Sequence, residues 1–146
     1  MTAGAAGCFR ATIALTLALV LGSCGGEDTF SPTVESVTGS YTASALTLRS
    51  SVGTTDLLAF GSTVAITLAA DGTTSGRLFV PGGDDDGSDL DVDLAGTWTL
   101  SGSTVTFSQT GDSFIREVEF TAGPNQLNGE GEFSGALIRL VLRKAA

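Results

Sequence analysis

Three observations predict an all-β protein built as an antiparallel up-and-down barrel of about eight strands. Apolar residues alternate with Thr, Ser and Gly through most of residues 37–146, no 3.6-residue pattern persists, and nearly every connection is short. Short connections join only antiparallel neighbours, because parallel pairs need a long crossover. A meander with one apolar face hides its edges most simply by closing on itself. An open or sandwiched sheet is the competing layout.

The chain begins with the parts of a secretory signal. The free amine and Arg10 supply positive charge, Ala11 to Leu21 is an unbroken run of Ala, Thr, Ile, Leu and Val, and small residues follow. The run is shorter than the roughly 20 residues that span a bilayer. Leu21-Gly22-Ser23-Cys24 resembles the bacterial lipobox, an aliphatic residue and two small ones before a cysteine. The resemblance implies a lipoprotein: a signal peptide over 1–23, removal of that segment, and acylation of Cys24 as the new N-terminus. It also implies a place in the cell envelope, at the outer membrane because Gly25 rather than aspartate follows the cysteine. An ordinary secretory signal is the plain alternative. Cys8, the other cysteine, lies inside the signal, so no thiol is left for a disulfide or thiolate metal site once Cys24 is acylated.

Residues 24–36 form the expected lipidated cysteine and tether, polar, without period and interrupted by Pro32. The barrel domain is expected over 37–146. Its first strand falls near Val37–Leu48, with a short one near Leu57–Phe60. Val64, Ile66 and Leu68 alternate with Thr63, Ala65 and Thr67, and Asp71-Gly72 then favours a tight hairpin, since both residues tolerate positive φ. Gly76, Leu78 and Val80 share the return face. Gly96, Trp98 and Leu100 make the next inward stripe, Ser101-Gly102 turns the chain, and Val105 and Phe107 come back. After Thr110-Gly111-Asp112, alternation puts Phe114, Arg116, Val118 and Phe120 on one face of a strand. Leu127 and Phe133 follow Gly123-Pro124-Asn125, and Ala136, Ile138, Leu140 and Leu142 line the last strand after Ser134-Gly135.

This pattern resembles the lipocalin-like domains of small bacterial lipoproteins. Gly39-Ser40-Tyr41 matches their Gly-x-aromatic opening, Gly96-Thr97-Trp98-Thr99-Leu100-Ser101-Gly102 their mid-chain stretch, and Arg143 the arginine ending the last strand. Tyr41 stands where true lipocalins place tryptophan, so their tryptophan-over-arginine floor is not expected in its usual form. The resemblance implies a binding module for a small apolar ligand, or an anionic apolar one.

Composition restricts the chemistry. There is no histidine, which removes imidazole relays and imidazole metal sites, and Lys144 and Tyr41 are the sole lysine and tyrosine. No catalytic constellation emerges, no cofactor motif is present, and the protein is not expected to be an enzyme. Without residues 1–23 the chain has 123 residues, one domain's worth. The seven Lys and Arg, less Arg10, then face sixteen Asp and Glu, a net charge of −10. That surface repels nucleic acid and anionic headgroups, so the expected membrane contact is the covalent lipid.

Three further features bear on a site. Asp84, Asp86, Gly87 and Asp89, in the stretch Pro81–Asp93, loosely echo a calcium loop but lack its closing glutamate; a solvated, like-charged loop is the alternative. An inward Arg116 would suit a ligand carboxylate, unless a bulge flips its phase or Asp56 pairs with it. Trp98, and with it Tyr41, would either line a ligand cavity or fill the core. Gly76, Gly96, Gly129, Gly131 and Ala136 leave room inside, whereas Trp98, Phe107, Phe114, Phe120 and Phe133 fill it. If they fill it completely, the alternative function is an envelope scaffold or interaction protein with no ligand.

Overall fold

The computed structural model describes residues 29–146, so the expected signal peptide and Cys24 lie outside the described residues. A one-turn helix, α1 (Val34–Val37), spans the expected boundary between tether and barrel. Thr33 and Ser36 cap it reciprocally, the Thr33 side chain accepting from the Ser36 backbone and the Ser36 side chain from the Thr33 backbone.

Ten strands follow: β1 (Gly39–Ser50), β2 (Gly53–Asp56), β3 (Thr63–Leu68), β4 (Thr73–Val80), β5 (Leu90–Asp93), β6 (Gly96–Ser101), β7 (Thr104–Gln109), β8 (Phe120–Gly123), β9 (Gln126–Phe133) and β10 (Ala136–Lys144). Eight of them close an antiparallel barrel in the order β1-β3-β4-β6-β7-β8-β9-β10, with β10 pairing back to β1. β2 is an annex folded back on the end of β1. β5 and β6 are one strand interrupted at Leu94-Ala95. β5 continues the pairing of β6 with β4, and the Leu94 N–H donates to the Gly76 carbonyl in between.

Alternation holds as expected along β3, β4, β6, β7 and β10. β1 keeps its apolar face inward only because it is bulged. Ala43 pairs with Leu142 and Ala45 with Val141, so Ser44 is an extra residue. That insertion moves Leu46 and Leu48 onto the face that Tyr41 and Ala43 would otherwise have lost.

Three local expectations are corrected. Leu57–Phe60 is a pair of turns rather than a strand, with the Leu57 carbonyl accepting from Phe60 and Ser62; the short strand lies just before it, at β2. The stretch Pro81–Asp93 is only partly a loop, since Leu90–Asp93 pairs with β4 as β5. Phe114–Glu117 is a 3-10 turn rather than strand. β8 covers only the half of β9 from Gln126 to Gly129, and the 3-10 turn occupies the space beside the other half.

One end of the barrel is sealed. Val37 is buried there, the Tyr41 hydroxyl donates to the Val37 carbonyl at 2.7 Å, and the Lys144 ammonium donates to the Ser36 carbonyl at 2.9 Å. The helix and Lys144 thus close the floor beside Tyr41. Burial raises the Tyr41 pKa above the ordinary tyrosine value. A tyrosine whose folded pKa is raised keeps its full contribution below the unfolded pKa, near 10, and loses it as pH climbs toward the folded value. Alkaline melts should therefore show a loss of stability above about pH 10 that is diminished in Tyr41→Phe. At neutral pH the same variant should cost about 1 kcal/mol, for the hydrogen bond.

Candidate functional site

The interior is filled. Trp98 is 4% exposed, its indole N–H donates to the Ala69 carbonyl at 2.9 Å, and its backbone N–H donates to the Gly72 carbonyl. It pins the β3–β4 hairpin from inside. Phe107 and Phe120 meet edge to face, with ring centroids 5.3 Å apart. The inward glycines leave no room, contrary to the expectation from their size. A Cβ at Gly76 would overlap the Ala65 carbonyl oxygen, and one at Gly96 the Ser108 carbonyl oxygen. At Gly129 it would lie 2.7 Å from a Val118 methyl, with the Phe120 ring equally close, and at Gly131 it would lie 2.9 Å from the other Val118 methyl. These residues lack side chains because neighbouring strands and rings occupy that space.

Arg116 does not enter the barrel. It lies on the solvent side of the 3-10 turn with its side chain 37% exposed, and its guanidinium pairs with Asp112 at 2.6 Å, four residues back. The same turn buries the adjacent residues Phe114 and Ile115. Asp56 is not its partner and instead accepts from the backbone of Leu58. An exposed pair of this kind contributes little, so Arg116→Met should change stability by no more than about 1 kcal/mol in thermal melts.

The open space lies at the end opposite α1. There the end of β1, the turns after β2, the β4–β5 hairpin, the 3-10 turn and the β9–β10 turn surround an apolar cleft of about 270 Å³. Leu48, Leu57, Leu90, Phe114, Phe133 and Ile138 line it. Leu48, Leu57, Leu90 and Phe133 remain only partly covered, and Phe60, 70% exposed, sits in the turns beside Leu57. Phe114 and Phe133 contact each other edge to face at 6.3 Å.

A second, acidic cleft of about 470 Å³ adjoins the first, with Gly83, Leu90 and Phe133 common to both. Asp84, Asp85, Asp91, Asp93 and Asp112 surround it. Asp91 is engaged by Arg77 through two hydrogen bonds, which hold its carboxyl below the usual carboxylate range. Asp112 is engaged by Arg116. On β5, Asp91 and Asp93 share the outer face with Arg77, which stands directly across from Asp93, while Leu90 and Val92 face the cleft; Asp84 Oδ1 accepts from the Asp85 N–H. Ser113 lines the same cleft at 1% exposure, and its buried Oγ has no hydrogen-bond partner.

The loop between β4 and β5 is ordered by its own side chains. The Gly82 N–H donates to Asp89 Oδ1 at 2.9 Å and the Ser88 N–H to Asp86 Oδ1 at 2.9 Å. The Ser88 contacts depress the Asp86 pKa. Among the described residues no group of three or more acidic side chains is arranged to hold a metal ion. Carboxylates turned onto their own backbone amides serve as turn caps rather than as converging ligands.

The clefts were not among the sites expected from sequence. Leu90 and Val92, set between aspartates, were the available signal, since apolar residues in an acidic stretch mark a strand with one covered face. The chain matches no protein-family model, no curated protein and no solved structure.

Proposed function

We propose that this chain is a lipid-anchored protein of the bacterial cell envelope that binds at the open end of a side-chain-filled barrel, not within it. The observation that carries the reading is the partly covered apolar cleft formed by Leu48, Leu57, Leu90 and Phe133. Soluble surfaces rarely leave such residues grouped in a concavity unless something occupies it. A lipid on Cys24 would attach the chain ten residues before α1, which lies at the sealed end of the barrel. The lipocalin-like resemblance agrees with a binding role, but the inward Arg116 that suggested an anionic ligand is gone.

Two measurements test this reading. Labelling with a palmitate analogue should be lost in Cys24→Ser; label retained by that variant would remove the anchor from the proposal. Nile red, an uncharged apolar dye, should gain fluorescence on the native barrel and lose most of that gain in Leu57→Asp and Leu90→Asp, with melts little changed. Dye fluorescence indifferent to both variants would favour the second reading, an envelope scaffold or interaction protein with no ligand. The filled positions above Gly76, Gly96, Gly129 and Gly131 support that alternative.

A further inference from the structure

We propose that two copies of this chain associate through β2, each β2 pairing antiparallel with the other about a two-fold axis at Thr55. The inference is independent of the open-end cleft and concerns an exposed edge of the sheet.

The edge is open along its whole length. β2 ends the hydrogen-bonded strand order, pairs with β1 alone, and exposes all four of its residues. Ser50 pairs with Gly53 across a two-residue turn, and the Leu57 N–H donates to the Leu46 carbonyl in the same register. Ser50–Gly53 and Leu48–Thr55 are therefore the hydrogen-bonded pairs, which turns the N–H and C=O of Thr54 and Asp56 away from β1. Among the described residues nothing hydrogen-bonds to those four groups. Such an edge is a template for another strand. β5 also pairs on one side only, but Asp91 and Asp93 would set like charges together if it paired with itself.

Gly53-Thr54-Thr55-Asp56, by contrast, complements itself. The register that uses both outward residues joins Thr54 to Asp56 of the second copy and Asp56 to its Thr54, giving four main-chain hydrogen bonds. Thr55 then meets Thr55 across the axis, a favourable cross-strand pair. Just beyond the strand, Val52 comes opposite Leu58 of the second copy, beside its Phe60. Val52 is 95% exposed and Phe60 70%, more than any other large apolar side chain among the described residues, and the contact covers both. Charge agrees. Arg49 has no ion-pair partner among the described residues and lies beside Thr54, two strands or about 10 Å from Asp56 of the second copy. Asp56 Oδ1 accepts from Leu58 and Ala59, which leaves Oδ2 for that arginine. No like charges stand opposite each other, and a two-fold contact closes as a dimer rather than growing into a filament.

Sedimentation and disulfide trapping test the pairing in the full chain, with Cys8→Ser and Cys24→Ser removing the native thiols. The sedimentation coefficient should rise with concentration from that of a monomer to that of a dimer. Thr54→Pro deletes an outward N–H from each copy and leaves the pairing with β1 intact. It should weaken the dimer at least about tenfold, for two lost hydrogen bonds, with the melting of dilute protein unchanged. Val52→Asp combined with Phe60→Asp, at side chains already exposed, should weaken it as much. Thr55→Cys should be trapped as a disulfide-linked dimer under mild oxidation, whereas Ser75→Cys, exposed on β4, should not. A chain that stays monomeric up to about millimolar concentration would overturn the dimer and leave the edge to a strand from another protein. Association unchanged in both Thr54→Pro and the Val52, Phe60 double variant would overturn the β2 contact. So would equal trapping of Thr55→Cys and Ser75→Cys.

Discussion

Trp98→Ala should destabilise the folded barrel by about 3–5 kcal/mol, the range for deleting a large buried aromatic. The side chain is 4% exposed and fills the space beneath the β3–β4 hairpin, where its indole N–H also satisfies the Ala69 carbonyl. Truncation therefore opens a void and removes one of the two hydrogen bonds that the Ala69 carbonyl accepts, the other coming from the Gly72 N–H. Since whole domains are stable by only about 5–15 kcal/mol, the variant should melt far below the parent. As the sole tryptophan, Trp98 also reports on the parent directly. Its emission should be blue-shifted in the native state and move to the red only with global unfolding. A solvent-exposed emission maximum in the native protein would contradict the inward placement of β6.

Gly76→Ala should be as damaging although it adds only one methyl. Two independent effects combine at this position. The backbone φ of 150° is one that side-chain-bearing residues rarely adopt, and the new Cβ would collide with backbone atoms of Ala65 and Ile66. Backbone cannot rotate away as a side-chain tip can, so β3 and β4 would have to separate. Overpacking costs about 1–3 kcal/mol and an unfavourable φ about 1–2 kcal/mol, which puts the expected loss near 3 kcal/mol. Gly131→Ala is the informative comparison. There the nearest atom is a Val118 methyl at 2.9 Å, which can yield, and the melting temperature should fall much less. Equal effects at the two glycines would mean that β3 and β4 are not in the close register described.

The sequence carried the barrel because its strands obey a local rule. In β3 and β10 the side-chain period of two is unbroken, and Asp71-Gly72 and Ser134-Gly135 place positive-φ residues where hairpins turn. The segment from Phe114 to Phe120 was misread because alternation alone does not separate a strand from a single tight turn. Phe114, Val118 and Phe120 satisfy a period of two, while Phe114, Ile115 and Val118 satisfy a helical spacing just as well. Ile115, fully buried beside buried Phe114, was the residue that decided between them. Arg116 changed sides with that decision. The glycines misled for a different reason. A missing side chain is visible in sequence, but whether the vacated space holds a ligand or a neighbouring strand depends on long-range register.

The pairing of β1 with β10 governs the order in which this fold can be completed. It joins the first barrel strand to the last, and the hydrogen bond from the Ser44 hydroxyl to the Val141 carbonyl bridges 97 residues of chain. Hairpins such as β3–β4 and β9–β10 can form as soon as both their strands exist. The circuit cannot, because β1 has no second barrel neighbour until Leu137 to Lys144 arrive. A chain that emerges N-terminus first consequently keeps this barrel open until β10 is free to pair. Closure then fastens the start and the end of the barrel at once, with Lys144 held to Ser36 and the Ala145 N–H donating to the Ser40 carbonyl. Contacts between such distant segments make closure slow relative to hairpin formation. The last strand to appear is the one that shuts the barrel.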